Sequence, residues 1–421
     1  MSIAFPTIAW AKGTNIYEVN VRQYTPSGTL KAFAEHLPRL RDMGVDIIWL
    51  MPVTPISIEG RQGTFGSYYA ASSYTQIDPF YGTEDDFRDV ITKAHDLGLK
   101  VIIDWVANHT GYDHEWTVKF PHYYIKDEQG QFTRRHEWMD VIDLDYDNPE
   151  LRTEMINSMK HWIMKYDIDG FRQDMARTVP LDFWLDARGE CDTVKPLFWL
   201  GECEVLKYHE VFDLIYGWEL MRAIDKYFKK EQSFDVVREV IVKYMHSPAG
   251  SGKLLFSSNH DENTYWGTEY EKYGSSALAL AVFTCTFPGT PLVYSGQELP
   301  NKERLSFFEK DCIKWTGTFE LNDFYRTLLM LRKKNPALHD GASILLIRAE
   351  QGELIYLCRN SIHSVLVILN LRDEAAEITL DHPAVSGEYY DVFGTGVIKI
   401  NRRKQFQLDS GGYVLLSSNP A

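Results

Sequence analysis

Eight short apolar runs, separated by longer amphipathic stretches, organise the chain up to about residue 335. They span residues 19–24, 47–53, 101–104, 170–174, 198–202, 213–216, 254–259 and 291–294. Apolar strands that alternate with helices build parallel sheets, because the crossovers cover both sheet faces. Eight such units are the number that closes a (β/α)8 barrel. The expected class is therefore α/β, centred on a TIM barrel.

The helical segments carry their own punctuation. Thr83, with Asp86 three residues on, reads as the start of a helix over 84–97 that Gly98 ends. Asn148-Pro149 opens another, in which Leu151, Met155, Met159, Trp162 and Tyr166 recur at helical spacing and read as core. Leu30, Phe33, Leu37, Leu40 and Met43 trace an earlier helix that Pro38 kinks and Gly44 ends.

Two stretches break the alternation. Residues 105–147, rich in His, Tyr, Trp and acids, are too long for an ordinary βα loop and read as a functional excursion after strand 3. Beyond Asn335-Pro336 the pattern turns to strands alone, over 343–349, 353–359, 364–371, 375–380, 388–393, 396–400 and 413–417. That is the pattern of a small antiparallel β-sandwich. The expected division is a barrel from 1–104 and 148–338, an excursion over 105–147 and a sandwich over 339–421. Arg402-Arg403-Lys404 reads as a charged hairpin tip.

Active sites of such barrels lie at the C-terminal ends of the strands. Here those ends are polar: Asp104-Trp105-Val106-Ala107-Asn108-His109, Gly170-Phe171-Arg172-Gln173-Asp174, Gly201-Glu202 and Asn259-His260-Asp261. A single Asp or His at a strand end is usually a satisfied polar group. Four polar ends around one mouth are harder to explain that way. Several carboxylates meeting in an aromatic-rich pocket suit glycoside hydrolysis, in which one acid protonates the leaving oxygen and another attacks the anomeric carbon. Arg172, two residues before Asp174 and on the same strand face, would hold that acid ionised. Burial and neighbouring acids would keep a proton on the other.

These segments, in this order, resemble the signature regions of the α-amylase family, glycoside hydrolase family 13. DWVANH (104–109), GFRQD (170–174), Gly201-Glu202 and NHD (259–261) look like its four regions, and VIDLD (141–145) like an additional one. The resemblance implies that Asp174 is the nucleophile, Glu202 the general acid/base and Asp261 the third acid that grips the sugar. It places Arg172, His109 and His260 against the same sugar, Tyr69 beneath it, and Asp104 in support. Phe287 to Tyr294 with Gly296-Gln297-Glu298 resembles the family's eighth strand and loop.

Two positions depart from the family pattern. Ser73 stands four residues after Tyr69 where an acid is common, and Glu204 adds an acid two residues after Glu202. Glu204 is either a leaving-side contact that raises Glu202 or a solvated loop acid. Acceptor choice would lie in the loops carrying Arg177, Thr178, Cys203, Glu204 and Trp266. Trp105, Trp116, Tyr123, Tyr124, Trp138 and Trp266 are candidate sugar platforms or core. The resemblance also implies structural Ca²⁺ between Asn108 and Asp143, although two side chains fall short of the ~6–8 oxygens calcium takes. No cofactor is needed for the chemistry.

Composition narrows the partners. A net charge of −15 disfavours nucleic acid and anionic membrane, and a neutral α-glucan or malto-oligosaccharide needs no electrostatic steering. No run reaches the ~18 apolar residues of a membrane span. The start of the chain shows no signal-peptide pattern, and five cysteines without a CxxC pair fit a reducing compartment, with cytoplasm as the expectation unless a signal has been removed. Oligomeric state is not readable. The function expected is a retaining α-glucan hydrolase acting mainly on α-1,4 bonds of starch, maltodextrin or malto-oligosaccharides. A transglycosidase or α-1,6-acting enzyme of the same family is the alternative. A non-catalytic carbohydrate-binding protein would have lost one of the acids, and none is lost.

Overall fold

The computed structural model describes residues 5–134, 138–248, 250–339 and 341–420. Residues 1–4, which enter the reading of the chain start, lie outside that set. Eight parallel strands close a barrel: β1 Ile16–Val19, β2 Ile47–Leu50, β3 Lys100–Trp105, β4 Gly170–Gln173, β5 Phe198–Gly201, β6 Leu214–Tyr216, β7 Gly252–Leu255 and β8 Thr290–Tyr294. They pair in sequence order, and β8 closes on β1.

The period of two along each strand divides the barrel interior into layers. Ile16, Ile47, Ile102, Phe198, Leu214, Leu254 and Leu292 belong to one buried apolar cluster that fills it. Two residues further along β1, β3 and β4, the same face carries Glu18, Asp104 and Arg172. Asp104 and Arg172 are direct register partners, as are Glu18 and Trp49. Gly170 permits this close approach of β4 and β5, since a Cβ there would lie 2.1 Å from the Phe198 carbonyl oxygen.

Three local readings change. The first strand ends at Val19, and Val21–Tyr24 is a short helix. The seventh strand ends at Leu255, so the Asn259-His260-Asp261 motif sits beyond it, at the entry to a π-helical turn over Glu262–Trp266. The early helix is two helices, Leu30–Ala34 and Leu37–Met43. Pro38 lies in the first turn of the second, where a missing N–H costs nothing. Thr83 and Asp86 form a full capping box, and Asn148 caps Pro149–Tyr166 through the N–H groups of Glu150 and Leu151.

Between β3 and β4 the chain makes a two-residue antiparallel ladder, His109–Thr110 against Ile142–Asp143. After the barrel come a six-stranded antiparallel sheet and a two-stranded partner, with a buried apolar cluster that draws on strands of both sheets. Arg403–Leu408, whose first residues read as a hairpin tip, is a strand pairing with Ala376–Asp381. Tyr356 of the larger sheet meets the barrel helix Ala277–Thr286 through a 2.6 Å hydroxyl contact with Thr286. Among the described residues no helix is long and apolar enough to cross a membrane, and all five cysteines are unbridged.

Candidate active site

Arg172 lies beneath the barrel mouth with its guanidinium almost wholly buried. Nη1 donates to Asp104 Oδ1 at 2.9 Å and to Asp174 Oδ1 at 2.8 Å. Nη2 lies 2.9 Å from Glu202 Oε2, and Nε donates to the Tyr216 hydroxyl at 3.1 Å. Three carboxyls from β3 and the ends of β4 and β5 thus converge on one planar cation, whose fork suits such contacts. A second anchor for Glu202 is the Met175 N–H, 2.9 Å from Oε2. Met175 holds φ +45°. That left-handed backbone costs roughly 1–2 kcal/mol for a residue with a Cβ, and it aims the amide at the acid.

Above this cluster lies a cavity of about 200 Å³. Tyr69, His109, Asp174, Glu202, His260 and Asp261 all line it. Burial raises Asp174 and Asp104 above the ordinary carboxylate range, with Arg172 opposing the rise in both. Burial, supported by the charges of Asp174 and Asp261 and opposed by Arg172, raises Glu202 further, to about 7. Burial thus pushes all three of these acids up, and the Arg172 guanidinium opposes the rise in each.

The Tyr69 hydroxyl lies 3.2 Å from Asp104 Oδ2 and 2.7 Å from His260 Nε2. Its ring stacks on Phe307, at 6.1 Å between centroids and 10° between planes. Phe307 belongs to a strap that the helix Val21–Tyr24 fastens. Arg22 Nη1 donates to the carbonyls of Gly66 and Phe307, and Gln23 Nε2 to those of Ser306 and Glu309.

Five proposed contacts are not among the residues that line the cavity: Arg172 and Asp104 lie buried in the floor beneath it rather than against the sugar, and Arg177, Glu204 and Trp266 lie outside it. Both carboxylate oxygens of Glu204 accept from Arg222 Nη1, at 3.0 and 3.1 Å. Trp266 is 62% exposed, with the Lys229 ammonium 5.6 Å from its ring centre. Arg177 lies in the 3-10 turn Ala176–Thr178, where its carbonyl accepts from the Tyr208 hydroxyl. Trp105, Trp116, Tyr123 and Tyr124 are core residues, whereas Trp138 lines the cavity edge-on to His109. Ser73 is buried, and its hydroxyl accepts from the Thr75 N–H.

Several residues at the site escape a sequence reading. Trp49 donates from Nε1 to Asp104 Oδ2 at 3.2 Å, and Gln62, Asp140, Tyr265 and Phe308 join the cavity wall from distant loops. Glu18 escapes as well, although a carboxylate inside the apolar stretch Ile16–Val19 is a signal that could have found it.

Asn108 and Asp143 offer one amide and one carboxylate. Asn108 Nδ2 lies 3.1 Å from His109 Nδ1, and Thr133 donates to Asp143 Oδ2 at 3.3 Å. Among the described residues no three His, Cys, Asp or Glu side chains converge as metal ligands. This pair does not make a calcium cage of ~6–8 oxygens, and no step below uses a metal.

Known proteins share this architecture. The family described as alpha amylase, catalytic domain, matches residues 11–132 and 117–193. The crystal structure of a noncanonic maltogenic alpha-amylase, AmyB from Thermotoga neapolitana, is 32% identical with a TM-score of 0.89, over 97% of this chain and 99% of that one. A cyclomaltodextrinase from Geobacillus thermopakistaniensis is 25% identical over 84% of this chain and 64% of its own length. A 4-alpha-glucanotransferase from Thermotoga neapolitana is 28% identical over 68% of this chain and 72% of its own. With likeness along nearly the whole chain to a solved maltogenic amylase, and with polar strand ends gathered at one barrel mouth, this chain belongs to the alpha-amylase family and is a glycoside hydrolase.

Proposed function

We propose that the enzyme is a retaining α-glucan hydrolase acting mainly on α-1,4 bonds of starch, maltodextrin or malto-oligosaccharides. The observation that carries this reading is the single guanidinium shared by Asp174 and Glu202 at the cavity floor. Carboxyls that grip adjacent nitrogens of one guanidinium suit the shorter separation of retaining enzymes, ~5–5.5 Å, better than the wider gap that admits a water in inverting ones. The relatives named as maltogenic amylase and cyclomaltodextrinase support the substrate class.

In this reading a glucosyl unit sits over Tyr69 with its anomeric carbon facing Asp174. An Asp174 carboxylate oxygen attacks that carbon while the protonated carboxyl of Glu202 gives its proton to the leaving glycosidic oxygen. A covalent glycosyl ester forms and the C–O bond to the leaving sugar breaks. Glu202, now ionised, takes a proton from water, and the resulting hydroxide displaces Asp174 from C1. Asp261 accepts hydrogen bonds from sugar hydroxyls, and Asp104 braces Arg172 and Tyr69.

The same intermediate serves a transglycosidase when a sugar replaces water, and one relative is named a 4-alpha-glucanotransferase. Timed product analysis on maltoheptaose, pullulan and a cyclic dextrin separates the outcomes. Shorter maltodextrins accumulating from the first time point are expected. Early products longer than the substrate, or cleavage confined to the α-1,6 bonds of pullulan, would replace the hydrolytic α-1,4 assignment.

The pH dependence follows from the same acids. Activity needs Asp174 ionised and Glu202 protonated, so kcat/KM should trace a narrow bell. Its acid limb reflects the raised Asp174 and its alkaline limb Glu202 near 7. Initial rates across the pH range check this, and a plateau persisting well above pH 8 would exclude Glu202 as the acid.

A further inference from the structure

Glu18 has no part in the reaction described above, yet it is completely buried on the inner face of β1. Its Oε1 lies 2.5 Å from His260 Nδ1, while Oε2 has no hydrogen-bond partner among the described residues. The other ring nitrogen, Nε2, faces the Tyr69 hydroxyl at 2.7 Å and Asp261 Oδ2 at 3.6 Å. That hydroxyl carries one hydrogen, and Asp104 Oδ2 stands 3.2 Å away to accept it.

Proton bookkeeping then constrains the imidazole. Against a carboxylate, which only accepts, Nδ1 donates. If Tyr69 gives its hydrogen to Asp104, its oxygen accepts from His260, so Nε2 must donate as well. A ring that donates from both nitrogens is an imidazolium.

We propose that Glu18 is a positioning residue that holds His260 as an imidazolium, and that this cation fixes the direction of the Tyr69 hydroxyl and faces the Asp261 carboxyl at the substrate cavity. The inference rests on the proposed glycosidase reading only for its kinetic consequence. The protonation state itself is independent of the reaction.

The surroundings agree. The groups facing His260 and Glu18 are Asp261, Tyr69 with Asp104 behind it, Arg172 from β4, Tyr216 from β6 and Tyr294 from β8. Trp49 packs edge-on to the imidazole at 5.9 Å and excludes water from that side. Burial and Arg172 oppose the charge, but Asp261 and Glu18 outweigh them, and His260 is raised to about 9.

The test is an NMR titration of the His260 ring in the intact enzyme, with the resonance assigned by its loss in His260→Asn. In the wild type the ring should stay doubly protonated through neutral pH. In Glu18→Gln, which keeps the shape and one acceptor but removes the charge, the midpoint should fall by more than about one unit. The alkaline limb of kcat/KM, which Glu202 sets near 7, should move to lower pH only if the His260 midpoint falls below that value, while the melting curve shows that the variant folds. An unchanged midpoint in Glu18→Gln would overturn the proposal. So would a neutral ring at pH 7 in the wild type, which decides the matter even if the variant fails to fold. Intact titration behaviour with no maltodextrin turnover by the wild type would instead count against the glycosidase reading.

Discussion

Replacing Asp174 by Asn should lower kcat on maltodextrins by at least about 10⁴-fold, because the amide has no nucleophilic carboxylate to form the ester. Glu202→Gln should lose a similar factor on substrates with a poor leaving group, since the amide cannot protonate the departing oxygen. Their stabilities should move in a way that a folding defect would not. The proton affinity of Glu202 is raised to about 7 in the folded enzyme. Such an acid favours the folded state while protonated, and this advantage is lost as pH rises from the ordinary Glu value, ~4.3, through 7. Above 7 the buried charge is a burden, so Glu202→Gln should be the more stable protein, by on the order of 3–4 kcal/mol at pH 8. Thermal or urea denaturation measures this difference. A variant that is inactive and also less stable at pH 8 would point to a structural role for Glu202.

Arg172→Met should cause the second large loss, in activity and stability together. The guanidinium is almost wholly buried and is held by Asp104, Asp174 and Glu202. Removing it leaves three carboxyls in a low-dielectric floor without a counter-charge, and breaking a buried ion pair costs about 3–5 kcal/mol. The acids answer by holding their protons more tightly. Asp174 would then be protonated at neutral pH, and turnover should fall below detection there. Acids whose folded-state pKa is raised add stability at low pH and lose it as pH rises. The deficit of Arg172→Met should therefore shrink towards pH 5 and grow towards pH 8. Arg172→Lys keeps a charge but not the fork, and should recover stability better than activity. A melting temperature for Arg172→Met equal to the wild type at pH 8 would refute this picture of the floor.

The barrel was legible in the chain because parallel strands buried on both faces leave a hydrophobic signature at every repeat. The acids at its mouth were legible because a carboxylate that ends such a run has few reasons to be there. What escaped reading was set by non-local geometry. Glu18 interrupts its own run, so the apolar pattern points to residues 19–24 while the strand is Ile16–Val19. β7 begins at Gly252, because the register with β6 and β8 outweighs the run that continues to Asn259. Arg403–Leu408 looks like a charged tip because its outward residues are Arg, Gln and Gln, while Phe406 and Leu408 face the sandwich core. Among the site residues, Arg172 and Asp174 were readable from their spacing of two. Gln62, Tyr265 and Phe307 come from separate loops, and only the closed barrel brings them together. Glu204 carried the right chemistry at the right spacing, but Arg222, eighteen residues away, pairs with it.

The central claim is that Asp174 forms a glycosyl ester while Glu202 handles the proton. Trapping tests it most directly. The enzyme is mixed with 5-fluoro-α-glucosyl fluoride, whose ring fluorine destabilises the oxocarbenium-like state, quenched in acid, and analysed by peptide mass spectrometry. A single glycosyl adduct on Asp174, absent from Asp174→Asn, is the expected result. An adduct on another residue, or turnover that releases the inverted anomer and leaves no adduct, would contradict it.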